Sequence, residues 1–283
     1  MSGAAPAPAT TPAVPGAPEG ASEPTVARLL VWRHGRTEWN ARGRFQGQLD
    51  PPLDGTGRRQ AARAATALAA AVGPDALVVS SDLDRARATA EALADELGTS
   101  VRVDPRLREH GLGSWEGLTR EDVARDLPEQ YADWMAGRPV RGRGGEDPAE
   151  VARRALAALA DLPEAPVAVV VTHGGTGGRL VEALLGLGPE HRRVFGPLGN
   201  CAWTELAFQG TRWRVLRHNA SADPSGDPPG GVRRSGTDSG PDVAEAAGVA
   251  DGPVTGRPVA AGATPEEGAP AVPGAPTDAD AAL

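Results

Sequence analysis

Short apolar runs alternate with helical segments along the middle of the chain, and this alternation is the strongest constraint on its fold. Runs typical of strands buried on both faces of a sheet occupy Val26–Trp32, Ala76–Val79, Val101–Val103 and Val167–Val171. Apolar residues recur at helical spacing in Arg58–Val72, Asp84–Leu97, Glu150–Leu162 and Gly178–Leu187. This order predicts an α/β fold with a mostly parallel sheet covered by helices.

Three further signals complete the predicted fold. Asp54 or Thr56 can cap the first long helix. The segment Gly137–Pro148 is rich in glycine and arginine and is predicted as a flexible connection. Cys201–Phe208 and Trp213–Leu216 alternate as the arms of a closing hairpin that turns at Gln209 and Gly210.

The two ends of the chain differ in composition from its middle. Residues 1–24 are almost all Ala, Pro, Gly, Thr and Ser, and residues 221–283 add scattered acids to that mixture. Such segments cannot bury enough apolar surface to offset the entropy of folding, so both are predicted to be disordered tails. Residues 25–220 are then predicted to form one globular domain.

Charge and cysteine content narrow the class of protein. The formal net charge of −8 lies in the predicted tails, so the core is close to neutral and can still concentrate positive charge in one pocket. The single cysteine, Cys201, excludes an intrachain disulfide and fits a reducing compartment. With neither a signal-peptide pattern nor a membrane-length apolar run, we expect a cytoplasmic protein without a membrane or nucleic-acid partner.

Five charged side chains follow predicted strands. Arg33 and His34 come after the first, Arg85 after the second, Glu109 after the third and His173 after the fourth. Because the carboxyl ends of parallel strands meet at one edge of a sheet, we expect these side chains to gather there. A nucleophilic imidazole, two guanidiniums, a second imidazole and an acid are the parts needed for phosphoryl transfer.

Each of these residues taken alone has a plain structural explanation. A lone histidine can cap or pack at a strand end, and an arginine near a helix start is ordinarily a solvated surface residue. The prediction therefore rests on the five residues together.

The chain resembles the histidine phosphatase superfamily, which is also called phosphoglycerate mutase-like. The resemblance is carried by RHGRTEWN, RFQGQLDPPL, SSDLDRARATA, LREHGLGSWEGL and THGG, in that order. The intervals of 51, 24 and 64 residues that separate His34, Arg85, Glu109 and His173 also match. The resemblance covers nearly all of the core and neither tail, and it implies a three-layer α/β fold with helices on both faces of the sheet.

The resemblance also implies a role for each of the five residues. His34 would accept the phosphoryl group as a phosphohistidine, and Arg33 and Arg85 would bind the phosphoryl oxygens. His173 would be a further donor to those oxygens. Glu109 would protonate the leaving oxygen and later take a proton from the attacking water.

Further positions match substrate-binding residues of the family. They are Asn40, Gln46, the backbone at Gly47, and Gly174, whose N–H group stays accessible beside the second histidine. A backbone carbonyl is expected to orient His34 through its other ring nitrogen. The family chemistry implies no metal and no cofactor.

Two other signals are weaker. The run Gly174–Gly178 invites a dinucleotide-binding interpretation, but the third glycine of that motif would fall on Leu180. His110, His191 and His218 lack the spacing of metal ligands and are expected to have surface or structural roles.

The arginines at 138, 141 and 143 leave two interpretations open. They lie in the predicted connection over the pocket, where they can meet a second anionic group of the substrate. They are equally compatible with an ordinary solvated loop.

Three functions are compatible with these residues. The favoured one is a metal-independent phosphomonoesterase for a small phosphorylated metabolite, such as a phosphorylated glycerate or sugar. A bisphosphoglycerate-dependent phosphoglycerate mutase is the alternative, but the stretch that precedes His173 is short and lacks the clamp that mutases carry. A non-catalytic phosphate-binding or scaffold protein is the third, and only the tails suggest it. A homodimer is compatible with the sequence but not indicated by it.

Overall fold

The computed structural model describes residues 24–188, 191 and 194–222. Within these residues, six strands form one sheet in the order β3-β2-β4-β1-β5-β6. The strands are β1 (Arg28–Arg33), β2 (Leu77–Ser80), β3 (Val101–Val103), β4 (Ala168–Thr172), β5 (Trp203–Gln209) and β6 (Arg212–Ala220). The first four run parallel and β5 and β6 are antiparallel, which confirms the mostly parallel sheet. The predicted tails, residues 1–24 and 221–283, lie outside the described residues except for residues 24, 221 and 222.

Helices cover both faces of this sheet. The helices are α1 (Glu38–Ala41), α2 (Gly55–Val72), α3 (Asp84–Leu97), α4 (Arg120–Asp126), α5 (Pro128–Met135), α6 (Pro148–Ala160) and α7 (Gly174–Leu184). Single 3-10 turns lie at Pro105–Leu107 and Gly113–Trp115. Helices α2 and α3 pack on one face and α6 and α7 on the other, so the expected three layers are present.

The continuous apolar run of β1 follows from its position in the middle of these layers. Leu30 and Trp32 point into the core beneath α2 and α3, whereas Leu29 and Val31 point into the core beneath α6 and α7. All four are at most 1% exposed. Burying each such side chain contributes about 1.5–3 kcal/mol, so both faces of the strand have to be apolar.

Three helix starts differ from the predicted ones, and the smallest difference is that α6 begins at Pro148 rather than Glu150. Helix α2 begins at Gly55 rather than Arg58, and Asp54 is its cap, with Oδ1 accepting the N–H of Gly57 at 2.7 Å. Helix α7 begins at Gly174, so the predicted start at Gly178 is wrong. Its glycines allow a close approach to β1: a Cβ at Gly177 would lie 3.3 Å from Cγ1 of Val31.

The segment predicted as a connection contains neither helix nor strand up to Asp147, and Pro148 already belongs to α6. Its backbone is fastened to the loop before α4. The N–H of Ser114 donates to the carbonyl of Arg143 at 2.8 Å, and the N–H of Glu146 donates to the carbonyl of Gly111 at 2.9 Å. Across the described part of the chain, no helix has the length and apolar character needed to cross a membrane.

The first turn of α2 packs tightly on the loop that follows β1, and this contact generates a stability prediction. A Cβ at Gly57 would lie 2.7 Å from the backbone nitrogen of Arg36 and nearer still to its carbonyl. We expect Gly57→Ala to lower the free energy of unfolding by about 1–3 kcal/mol, measured by urea denaturation. Gly178→Ala is the matched control, since a Cβ there meets nothing within 4 Å; it should be neutral or stabilise by up to about 1 kcal/mol. Equal midpoints for the two variants would contradict this packing argument.

Candidate active site

A cavity of about 1320 Å³ opens at the carboxyl ends of the parallel strands. Eight of the nine residues predicted for the site line it: Arg33, His34, Asn40, Gln46, Gly47, Arg85, Glu109 and Gly174. The ninth, His173, is fully buried against His34, with 5.1 Å separating the two ring centroids. The residues predicted to gather at one edge of the sheet therefore do lie together in the structure.

His34 directly follows β1 and is 2% exposed. Its Nδ1 lies 2.7 Å from the carbonyl oxygen of Gly35, which can only accept, so Nδ1 carries the proton and Nε2 keeps its lone pair. A backbone carbonyl thus orients the ring as expected. Burial, together with the charges of Arg85 and Arg33, holds the pKa of His34 well below its usual value. The imidazole is therefore neutral and nucleophilic near pH 7.

The two arginines are held by backbone carbonyls, in ways that leave donors for a ligand. Arg33 donates from Nη1 to the carbonyl of Leu198 at 2.6 Å, and Arg85 donates to the carbonyls of Leu49 and Gly47 at 2.7 and 2.8 Å. Arg85 is 0% exposed, so it does not lie on the surface as an arginine near a helix start usually does. The Nε atoms of both guanidiniums are buried without a hydrogen-bond partner in the described residues.

His173 is oriented by a serine that the sequence analysis did not identify as functional. Its Nε2 lies 2.9 Å from Oγ of Ser81, which also accepts the N–H of Leu83. Burial and the nearby charge of Arg85 hold the pKa of His173 well below its usual value, so the ring is neutral and carries one proton. We assign that proton to Nδ1, with the Ser81 hydroxyl donating to Nε2, because Nδ1 is buried without a described partner and can then donate to a ligand.

Glu109 is fixed by the first turn of α7. Its Oε1 accepts the backbone N–H groups of His110 and Thr176 at 2.8 and 2.9 Å, and Oε2 accepts that of Gly175 at 3.1 Å. A Cβ at Gly175 would lie 2.7 Å from Oε1, so a glycine is needed at this position. Oε2 retains acceptor capacity, because a carboxylate offers about four lone-pair sites. That capacity can hold or receive the proton in acid–base catalysis.

Asn40 and Gln46 are tied together through Thr37, another residue that the sequence analysis missed. Asn40 Oδ1 accepts the N–H of Thr37 at 3.1 Å, which leaves its Nδ2 group as a donor for a ligand. Gln46 Oε1 lies 3.0 Å from Oγ1 of Thr37. Gly47 has a φ of +52° and lines the cavity, and the polar contact that it makes there is its carbonyl on Arg85.

The predictions for the other histidines and for the arginines of the loop have different outcomes. His110 is a buried structural residue with Nε2 2.8 Å from the carbonyl of Glu146, and His218 bridges Thr204 to the carbonyl of Gly196. Arg143 is only 9% exposed, so the solvated interpretation is wrong for it. In the described part of the chain, no three His, Cys, Asp or Glu side chains converge as metal ligands do.

The arrangement fits a tetrahedral oxyanion. Arg33 Nε, Arg85 Nε and His173 Nδ1 are buried, lack partners and belong to residues that surround His34. Buried donors are almost always paired, so unpaired ones near His34 are available to an anionic ligand. Arg179 Nε is a fourth buried nitrogen without a partner in the described residues, and Arg179 also lines the cavity. Glu109 stands nearby as the acid.

The contact of Ser81 with His173 can be tested directly. Ser81→Ala removes the hydroxyl donor, so the ¹⁵N NMR shifts of His173 should move away from the Nδ1–H tautomer, and inorganic phosphate should bind about 3–10-fold more weakly. Ser80→Ala is the matched control, because the Ser80 hydroxyl bonds the carbonyl of Ser81 and not the ring. Unchanged His173 shifts in Ser81→Ala would contradict this assignment of the proton.

Comparison with known proteins agrees with the geometry. The family model of the histidine phosphatase superfamily (branch 1) matches residues 29–221. Glucosyl-3-phosphoglycerate phosphatase of Mycolicibacterium vanbaalenii is 40% identical over 224 residues, which cover 71% of this chain and 98% of that protein. The structure of the mycobacterial glucosyl-3-phosphoglycerate phosphatase with VO3 superposes with a TM-score of 0.62 at 41% identity, covering 69% of this chain and all of that one. The probable phosphoglycerate mutase GpmB of Yersinia enterocolitica is 37% identical over 195 residues, 66% of this chain and 88% of that protein.

Proposed function

Because the chain belongs to the histidine phosphatase superfamily, we propose that it hydrolyses its substrate through a covalent phosphohistidine at His34. The chain is a phosphatase that acts on a small phosphorylated metabolite. One observation supports the proposed mechanism best: among the described residues, three buried nitrogens near the neutral imidazole of His34 lack a hydrogen-bond partner, and Nδ1 of that imidazole bonds a carbonyl. The proposed catalytic domain spans residues 25–220, and a cytoplasmic location stays a prediction from the sequence.

In the first half of the reaction the phosphoryl group is transferred to His34. Arg33, Arg85 and His173 donate to its oxygens in a water-poor site, where fixed donors act more strongly than in bulk water. His34 Nε2 forms a bond to phosphorus as the bond to the ester oxygen breaks, and Glu109 donates a proton to that oxygen. The carbonyl of Gly35 accepts from Nδ1 throughout and stabilises the positive charge that the ring acquires.

In the second half water restores the enzyme. Glu109 is now ionised and takes a proton from the water as its oxygen attacks phosphorus. The bond from phosphorus to Nε2 breaks, its electron pair returns to the imidazole, and inorganic phosphate leaves. The burial that lowers the pKa of His34 also favours return to the neutral ring, so it assists this step.

The substrate that we propose is a phosphorylated glycerate or sugar, with glucosyl-3-phosphoglycerate as the first candidate. Relatives named for that activity match the chain across nearly their whole length. The cavity supports a substrate of this size, because about 1320 Å³ exceeds the usual 300–1000 Å³ of small-molecule sites and is far larger than phosphate alone.

The mutase remains the second candidate, because relatives named probable phosphoglycerate mutase match two thirds of the chain. A mutase has to retain its bisphosphorylated intermediate, and the short stretch between Glu109 and His173 leaves little chain for a clamp. The scaffold alternative has less support, since all five of the residues that the chemistry requires are present at the cavity.

Trapping the intermediate tests the roles of His34 and Glu109. With p-nitrophenyl phosphate the leaving group needs no acid, so Glu109→Gln should still phosphorylate His34 but hydrolyse the intermediate at least about 100-fold more slowly. Rapid quenching should then recover acid-labile phosphate on the protein. His34→Ala should lose at least about 1000-fold in kcat and trap none. Turnover by His34→Ala at the wild-type rate would exclude the phosphohistidine.

A substrate panel separates the two candidate functions. We expect phosphate release from glucosyl-3-phosphoglycerate and from 3-phosphoglycerate, with the higher kcat/KM for glucosyl-3-phosphoglycerate, the first candidate. We expect no formation of 2-phosphoglycerate. Coupled assays with and without 2,3-bisphosphoglycerate measure both products. Interconversion of 3- and 2-phosphoglycerate that depends on this primer, without net phosphate release, would establish the mutase instead.

A further inference from the structure

Several arginines line the cavity without meeting a carboxylate of the described residues. Arg36 and Arg138, also at the cavity, pair with Asp54 and Asp133. By contrast, neither Arg120 nor Arg143 has an acidic partner in the part of the chain that the structure describes. The first phosphoryl subsite uses Arg33 and Arg85, so these two guanidiniums are not needed there.

Arg143 is the more unusual of the two because it is buried. It is 9% exposed, its guanidinium stacks on Trp115 at 5.3 Å from the ring centroid, and Nη2 lies 3.2 Å from Nε2 of His110. That ring nitrogen is also 2.8 Å from the carbonyl of Glu146, and a single nitrogen cannot accept from Arg143 and donate to the carbonyl at once. Burial lowers the pKa of Arg143. A buried cation so poorly compensated is ordinarily paired, so a ligand anion is the missing partner.

Arg120 contacts a cluster of aromatic residues that also contains Trp115, the ring on which Arg143 stacks. This aromatic cluster consists of Phe45, Trp115, Tyr131 and Trp134. Its guanidinium lies 5.6 Å from the centroid of Trp134, whose ring is 6.1 Å from that of Trp115. Phe45 packs on both indoles at 5.2 and 5.6 Å. Aromatic faces attract guanidinium groups, so the cluster holds two cations in place without neutralising them. Arg120 is also close enough to Arg33 to lower the pKa of that arginine.

Arg143 is placed on the leaving-group side of the site. Its neighbour His110 directly follows Glu109, the acid proposed to protonate the leaving oxygen. Its backbone is fixed as well: its carbonyl accepts the N–H of Ser114, and a Cβ at Gly113 would lie 2.7 Å from the carbonyl carbon of Gly144. The guanidinium is thus positioned by packing before any ligand arrives, which reduces the entropy cost of binding.

From these contacts we infer that Arg143, assisted by Arg120, forms a second anion subsite that binds a carboxylate on the leaving group. The guanidinium fork matches a carboxylate in two parallel hydrogen bonds. The inference rests on the proposed function and narrows its substrate class to phosphate monoesters of hydroxy acids, in preference to those of neutral alcohols.

The test compares two substrates that differ only in this group. 3-Phosphoglycerate carries a carboxylate where glycerol 3-phosphate carries a neutral hydroxymethyl group, and p-nitrophenyl phosphate reports the basic chemistry. We expect wild type to prefer 3-phosphoglycerate in kcat/KM by at least about tenfold. Arg143→Gln should lose about 10–100-fold on 3-phosphoglycerate and less than about threefold on the other two. Arg120→Gln should show the same selectivity with a smaller loss.

Two further variants distinguish a role of Arg143 in substrate recognition from a purely structural role. Arg143→Lys keeps the charge but not the planar fork, so it should recover part of the preference. Arg138→Gln removes an exposed arginine at the same cavity, already paired with Asp133, and should change neither substrate by more than about threefold.

The outcomes are distinguishable. Two results would overturn the subsite: a similar loss on all three substrates in both Arg143 variants, or a wild type with the same kcat/KM for 3-phosphoglycerate and glycerol 3-phosphate. In either case, turnover of p-nitrophenyl phosphate would still support the proposed phosphatase function. If wild type hydrolysed none of the three substrates, the proposed function and the subsite would both fall. If Arg143→Gln did not fold, Arg120→Gln and Arg143→Lys would still decide, because either should show the selective loss.

Discussion

The hydrogen bonds between Glu109 and the first turn of α7 connect two parts of the site that lie 66 residues apart in the sequence. The loop after β3 and the start of α7 meet at this carboxylate, which receives the backbone N–H groups of Gly175 and Thr176. A helix N-terminus stabilises an anion, and the Thr176 hydroxyl adds a side-chain donor to Oε1 at 3.3 Å. The contact sets the first turn of α7, and His173 directly precedes that turn. The position of the acid and that of the second imidazole therefore depend on one another.

A second constraint is the positive charge collected at this edge of the sheet. Arg85 is completely buried and Arg33 is partly buried, and burial lowers the pKa of both. Backbone carbonyls rather than acids take most of their hydrogen bonds, because nearby carboxylates would compete with a phosphoryl group for the same donors. Unsatisfied buried donors destabilise the empty protein. In the proposed mechanism the same donors stabilise the bound phosphoryl group, so stability is given up where that function requires it.

The elements and the catalytic edge could be predicted because their signals are local. A strand such as β4 has a continuous β-branched run, and the charged residues that follow each strand must share an edge once the strands are parallel. The start of α7 could not be predicted, since glycine has low helix propensity and the reason for the helix is a contact with Glu109 that is distant in sequence. Ser81 was missed for a similar reason: its partner His173 lies 92 residues away. The burial of Arg143 depends on Trp115, which no periodicity connects to it.

The site has two parts, and the sheet fixes the positions of the residues in one part more strongly than in the other. The residues of the proposed phosphoryl subsite lie at strand ends and in the first turns of α3 and α7. A shift of one residue in the register of these elements would disrupt the hydrophobic core. The leaving-group side stands on the aromatic cluster and on a loop held by few backbone hydrogen bonds. Substitutions in that loop can alter which leaving group fits without moving His34 or Glu109. Specificity can therefore diverge within this fold while the residues at the strand ends stay in place, which fits the match of this chain to relatives named for different activities.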